Sequence, residues 1–193
     1  MSRRILSLVA GLGLFAVATP VAAQSSVERQ IRFGVMTGAS MPMGDLGDAV
    51  NIGWHLGGFG EFRPENFPVT LRGELGYHSF GSDDFQAGGF TAEQEASMIP
   101  VVANAIFVLP SESTTRFHLM GGLGMYRFKF ESSSNIPGVA GSSSSTDFGI
   151  NVGGGVSFPL GQAIDVLVEA RFHSVFAEGS NANMIPLSVG LRF

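Results

Sequence analysis

Four histidines, His55, His78, His118 and His173, have the widest chemical reach of any side chains in this 193-residue chain. An imidazole can donate, accept, titrate near neutrality and ligate a metal ion. His55, His78 and His173 are candidates for a metal-binding or proton-responsive cluster, against the plainer expectation that each donates into a local hydrogen-bond network. His173 stands beside Ser174, but a nucleophile and its base must lie within hydrogen-bond reach. Consecutive residues of a strand point to opposite faces, so this pair predicts no catalytic dyad. Asp45 with Asp48, and Asp83 with Asp84, are candidate ligands for a divalent cation; Asp45-Leu46-Gly47-Asp48 equally has the composition of a turn. The chain has no cysteine, hence no thiolate metal centre and no disulfide framework. Its glycine runs are not phosphate loops, because no helix pattern follows them. No cofactor is expected.

The histidines share a setting. Each falls on the polar side of a segment in which apolar and polar residues alternate, the pattern of a strand with one greasy face. The pattern is cleanest over 184–193, where Ile185, Leu187, Val189, Leu191 and Phe193 alternate with Pro186, Ser188, Gly190 and Arg192. Seven more such segments precede it, over 29–39, 52–62, 69–80, 98–109, 116–130, 148–158 and 164–176. Short connections at 63–68, 110–115 and 159–163 alternate with mostly longer polar ones at 40–51, 81–97, 131–147 and 177–183. That rhythm predicts an all-β, eight-stranded, antiparallel up-and-down transmembrane barrel with both termini in the periplasm. Closure removes the sheet edge that a greasy terminal strand would otherwise expose.

Charge decides which face meets lipid. An arginine at the bilayer midplane costs ~2–4 kcal/mol, and the charged residues of the strand centres all share the polar parity. Only 14% of the chain is charged, and it contains one lysine, which is sparse for a wetted outer surface. The polar face is therefore expected inside, with Arg32, Arg72, Arg116, Arg171 and Arg192 paired to Glu61, Glu74, Asp165 and Glu169 in a plugged lumen. If Phe62 faces Val69, then Trp54 faces Tyr77, Gly57 faces Glu74 and Gly76 faces His55. If Phe158 faces Ile164, then Gly153 faces Glu169, Asn151 faces Arg171 and Gly149 faces His173. Long side chains thus meet small ones inside, and Trp54 and Tyr77 belong to an outer aromatic girdle. Arg127 and Lys129 keep outward parity near the outer headgroups, where they can pair with lipopolysaccharide phosphates or simply snorkel.

The first residues form a separate unit. Arg3 and Arg4 precede an apolar run from Ile5 to Thr19, then Pro20 and the small residues Val21-Ala22-Ala23. These are the marks of a cleaved secretory signal peptide over 1–23, cut between Ala23 and Gln24. The mature unit is 24–193. The formal charge of -5 argues against nucleic acid as a partner.

Several motifs carry a family resemblance: Pro42-Met43-Gly44-Asp45-Leu46-Gly47-Asp48, Gly121-Gly122-Leu123-Gly124-Met125-Tyr126, Gly153-Gly154-Gly155-Val156 and the ending Pro186 to Phe193. The chain resembles the small eight-stranded outer-membrane β-barrels, the group of OmpA-type, OmpX-type and opacity-like proteins. The resemblance implies a cell outer membrane location and contact with outer-membrane lipids and lipopolysaccharide. It also implies that Phe193 acts as the signal read by the barrel-assembly machinery. It does not fix one job, since relatives serve as structural proteins, adhesins, resistance factors and occasional enzymes. The expectation is a monomeric, non-enzymatic barrel that is structural or contacts partners through its loops. The rivals are a lipid A- or phospholipid-modifying enzyme and a narrow channel.

Overall fold

Alternating segments such as Ile31-Arg32-Phe33-Gly34-Val35 suit a two-sided sheet, and the chain uses them that way. The computed structural model describes residues 30–81, 84–87, 90–134, 141–177, 179 and 181–193. The segment 1–23, the cleavage pair Ala23 and Gln24, and Asp83 lie outside the described residues. The strands are β1 (Ile31–Met43), β2 (Asn51–Phe62), β3 (Val69–Gly81), β4 (Asp84–Ala87), β5 (Phe90–Val108), β6 (Arg116–Ser134), β7 (Gly141–Leu160), β8 (Ile164–Phe176) and β9 (Asn181–Arg192). One short helix, α1 (Asp45–Ala49), joins β1 to β2.

Each barrel strand pairs antiparallel with its neighbours; β1 pairs with β9, and β3 with β5, so the sheet closes on itself. The ring runs β1-β2-β3-β5-β6-β7-β8-β9, eight strands in all. β4 pairs only with β5 and stands outside the ring. The last residue also takes part: Phe193 and Phe33 exchange both backbone hydrogen bonds, at 2.9 and 3.1 Å.

The faces follow the alternation. Trp54, Leu71, Leu75, Val101, Leu119, Val152, Val168, Val189 and their neighbours of like parity are exposed on the outside. His55, Arg72, Glu74, His118, Asn151, Glu169, Arg171 and His173 are buried inside.

Two registers differ from expectation by two residues. Phe62 faces Leu71 rather than Val69, which sets Trp54 opposite Ser79, His55 opposite His78 and Glu61 opposite Arg72. The reason lies in the turn, where Pro64 and Pro68 lack an N–H for the ladder and Asn66 takes a positive φ of 62°. Val69 and Thr70 pair instead with Phe107 and Ile106 on the far side. At the other hairpin Phe158 faces Val166, not Ile164. The turn there is tighter than expected, with Leu160 already facing Ile164 around Gly161, whose φ is +80°. At this second hairpin small still meets large, Gly155 facing Glu169 and Gly153 facing Arg171, whereas at the first Gly57 faces Gly76 and Glu74 faces Phe59.

Two long connections prove to be strand. Residues 90–97 continue β5, and 131–134 and 141–147 extend the β6–β7 ladder, with Ser142 to Ser145 facing Glu131 to Phe128. The stretch Asp45–Asp48 is helical rather than a simple turn. Its Leu46, with Val50, turns inward and packs with Phe80, Met98, Phe128, Val175 and Met184. An apolar cap thus closes the end of the bore away from the chain termini.

Candidate functional site

Among the described residues, polar chemistry is concentrated in the bore. Successive inward positions on β8, Asp165, Leu167, Glu169, Arg171 and His173, lead from the terminal mouth toward the cap. At the mouth Asp165 accepts from three arginines: Arg192 at 2.6 Å, Arg32 at 3.0 Å and Arg116 at 3.4 Å. Arg192 also donates to Glu61 at 3.1 Å.

Deeper in, Arg72 is only 1% exposed. Its Nη1 donates to both oxygens of Glu169 at 2.8 Å, and its Nε and Nη2 donate to Glu61 at 3.0 and 2.7 Å. The guanidinium carbon lies 4.3 Å over the Phe59 ring, a cation–π contact that uses the second face of the plane. His118 Nε2 lies 3.2 Å from Glu169. One step further, Arg171 holds Glu74 with two parallel bonds of 2.7 and 2.9 Å and touches the Met36 sulfur at 3.4 Å.

The sense of these bridges matters. β3 and β8 lie four strands apart in the eight-strand ring, directly across the bore. Arg72 on β3 reaches Glu169 on β8, and Arg171 on β8 reaches Glu74 on β3. Two reciprocal ion pairs therefore span the full width of the lumen. Glycines give them room: a Cβ on Gly153 would stand 2.7 Å from Arg171 Cα, and one on Gly155 2.8 Å from Glu169 Cγ.

Above the ions the histidines divide. His55 and His78 stack with centroids 5.0 Å apart. Ser40 Oγ lies 3.2 Å from His55 Nδ1 and 2.7 Å from His78 Nδ1, and Ser188 Oγ lies 2.9 Å from His55 Nε2. One hydroxyl carries one proton, so at least one of these rings donates its Nδ1–H to Ser40. His173 turns away to Tyr126, with Nδ1 2.9 Å from the phenol oxygen. Among the described residues no group of three or more histidines and carboxylates is placed to hold a metal ion. Ser40, Ser188, Phe59 and Met36 also line this interior, and of them only Ser188 lies in a motif, the ending Pro186 to Phe193. Their inward parity was the only signal available for them, and Ser40 falls in a stretch that reads as loop.

The outer features sit as follows. Trp54 and Tyr77 are exposed neighbours with ring centroids 5.8 Å apart, diagonal to each other rather than directly opposite. Arg127 and Lys129 point outward, and Lys129 pairs with Glu131 of its own strand at 2.8 Å. Phe193 is half exposed.

Comparison with known proteins agrees with this architecture. A major outer membrane protein from Thermus thermophilus superimposes with a TM-score of 0.62 at 13% identity, over 84% of this chain and 98% of that one. Neisserial surface protein A gives 0.57 at 18% identity, over 84% and 96%. Ail, the attachment invasion locus protein of Yersinia pestis solved with the heparin analogue sucrose octasulfate, gives 0.50 at 19%, over 84% and 96%. These identities speak for the fold alone. No curated protein matches the sequence. A family model described as outer membrane protein beta-barrel domain matches residues 7–193. The chain belongs to that family and is an outer-membrane β-barrel protein.

Proposed function

We infer that this is a non-enzymatic barrel that serves the outer membrane structurally or meets partners through its loops. The observation that carries this reading is the pair of reciprocal ion bridges, Arg72–Glu169 and Arg171–Glu74, across the bore. A charge pair that spans the lumen leaves no continuous aqueous path and braces opposite walls. The apolar cap under α1 adds a second stop. Catalysis on lipid is disfavoured because every hydroxyl–imidazole contact among the described residues is buried inside the ring. A lipid substrate on the outer surface meets no base there.

In this reading residues 1–23 are removed between Ala23 and Gln24, both termini face the periplasm, and Phe193 is the assembly signal. The strand crossing, the aromatic pair Trp54–Tyr77 and the cations Arg127 and Lys129 set its depth, the last two against lipopolysaccharide phosphates. The long connections carry acids and neither lysine nor arginine, so they offer no site to a sulfated glycan. The barrel works as a monomer. Purified protein in planar bilayers is expected to give no discrete conductance steps and to release no acyl chain from phospholipid or lipid A. Reproducible steps from the unmodified protein would refute the plugged lumen, and acyl release would refute the non-enzymatic role.

A further inference from the structure

The bore is not filled at its terminal mouth. A cavity of about 700 Å³ opens there, within the range of small-molecule sites. Its walls differ in chemistry. On one side Arg32, Arg116 and Arg192 crowd around Asp165. Arg192 is well engaged, with Asp165 and Glu61. Arg32 and Arg116 each touch Asp165 through a single nitrogen, and their side chains stay 31% and 41% exposed. A guanidinium has five N–H donors, so most of theirs face the cavity.

The charge balance points the same way. The bore sets Arg32, Arg72, Arg116, Arg171 and Arg192 against Glu61, Glu74, Asp165 and Glu169, one cation in excess. Glu74 is taken by Arg171 and Glu169 by Arg72. The excess therefore falls on the mouth, where three arginines share Asp165 and part of Glu61.

Part of the facing wall is apolar, set between Thr70 and His118. Ile106 and Val108 line the cavity from β5, four strands around the ring from Arg192 on β9. Phe67 of the β2–β3 turn lines the same cavity. Val108 is 37% exposed although it points inward, and Phe67 is 52% exposed. Water alone satisfies the arginines but not this surface, and a bare anion leaves it wet.

We propose that the mouth binds a small anionic amphiphile, with its phosphate or carboxylate on Arg32 and Arg116 and its apolar body on Val108 and Phe67. Two oxygens of a carboxylate or phosphate match the guanidinium fork, and the apolar patch selects against a bare ion. The same chemistry is offered by a free metabolite-sized amphiphile and by a lipid headgroup with its first carbons. The proposal goes beyond the plugged-barrel reading and does not depend on it.

The test uses the full mature barrel folded in zwitterionic micelles, with arginine Nε–H and valine methyl signals followed by NMR. Phenyl phosphate is titrated as the free amphiphile and dihexanoyl phosphatidate as the lipid. Saturable shifts at Arg32, Arg116 and Val108 with either probe support the proposal, and the probe that succeeds names the source. Inorganic phosphate should bind about tenfold more weakly, because it buries no apolar surface. The double variant Arg32→Gln, Arg116→Gln and the single variant Val108→Asp should each abolish saturation while the barrel's amide spectrum is kept. The proposal is overturned if neither probe saturates, if inorganic phosphate or benzyl alcohol matches phenyl phosphate, or if these folded variants bind unchanged.

Discussion

Arg72 uses three nitrogens on two carboxylates from strands on either side of the bore, and its flat face rests on Phe59. Removing it leaves Glu61 and Glu169 buried beside one another with one cation fewer. Breaking a buried pair from one side costs about 3–5 kcal/mol, mostly the desolvation of the charge left behind. Arg72→Met should lower barrel stability by that amount in urea unfolding from lipid vesicles. Arg116→Met, at the open mouth with one long contact, should cost less than about 1 kcal/mol. Which residues would enter the lumen was legible in the sequence, because strand parity is a local property. Which carboxylate each arginine would hold was not. Pairing depends on register, and the turns at 63–70 and 161–163 moved it by two residues. Between β7 and β8 the glycines do give room to a long neighbour, one pair along from the partners expected; between β2 and β3 Gly57 and Gly76 face each other instead.

At the scale of elements, the two adjacent glycines of β6 separate packing from mere tolerance. A Cβ on Gly122 would stand 2.2 Å from the Ala103 carbonyl oxygen and 2.2 Å from Asn104 Oδ1. Backbone cannot yield cheaply, so Gly122→Ala should cost about 1–3 kcal/mol. Gly121 is nearest to Asn151 O at 3.6 Å, an ordinary contact, and Gly121→Ala should leave the urea midpoint nearly unchanged. α1 gives a second contrast. Leu46→Asp places a charge in the apolar cap and should loosen only that end. In hydrogen exchange, amides of 182–185 should lose protection while those flanking Arg72 keep theirs. The cap and the tall β5–β7 wall were hidden in the sequence for different physical reasons. Serine-rich strand such as 141–145 is exposed on both faces, so no hydrophobic alternation marks it, and only the ladder holds it extended. The cap uses inward parity like the ion network, but with Phe80, Met98, Phe128 and Met184. A uniformly polar lumen was the wrong generalisation from the strand centres.

For the whole molecule, the outer surface sets the account. β5, β6 and β7 run 19, 19 and 20 residues against 12 or 13 for the other ring strands. A crossing needs only ~9–11 residues, so on one side the ladder extends well past that length as a short sheet. Around the ring the exposed apolar side chains form one continuous belt, far larger than a soluble surface keeps. That belt, with charge inside and apolar side chains outside, was the part most legible in the sequence, since it rests on alternation and on the sparse charge alone. It is tested most directly by a photoactivated carbene released within the lipid phase of vesicles holding the folded barrel, with labelled positions read by mass spectrometry. Labels are predicted on Leu71, Leu75, Val168 and Phe172 and not on Arg72, Glu74, Glu169 or Arg171. Labelling of those four charged residues, with the four apolar ones spared, would contradict the account.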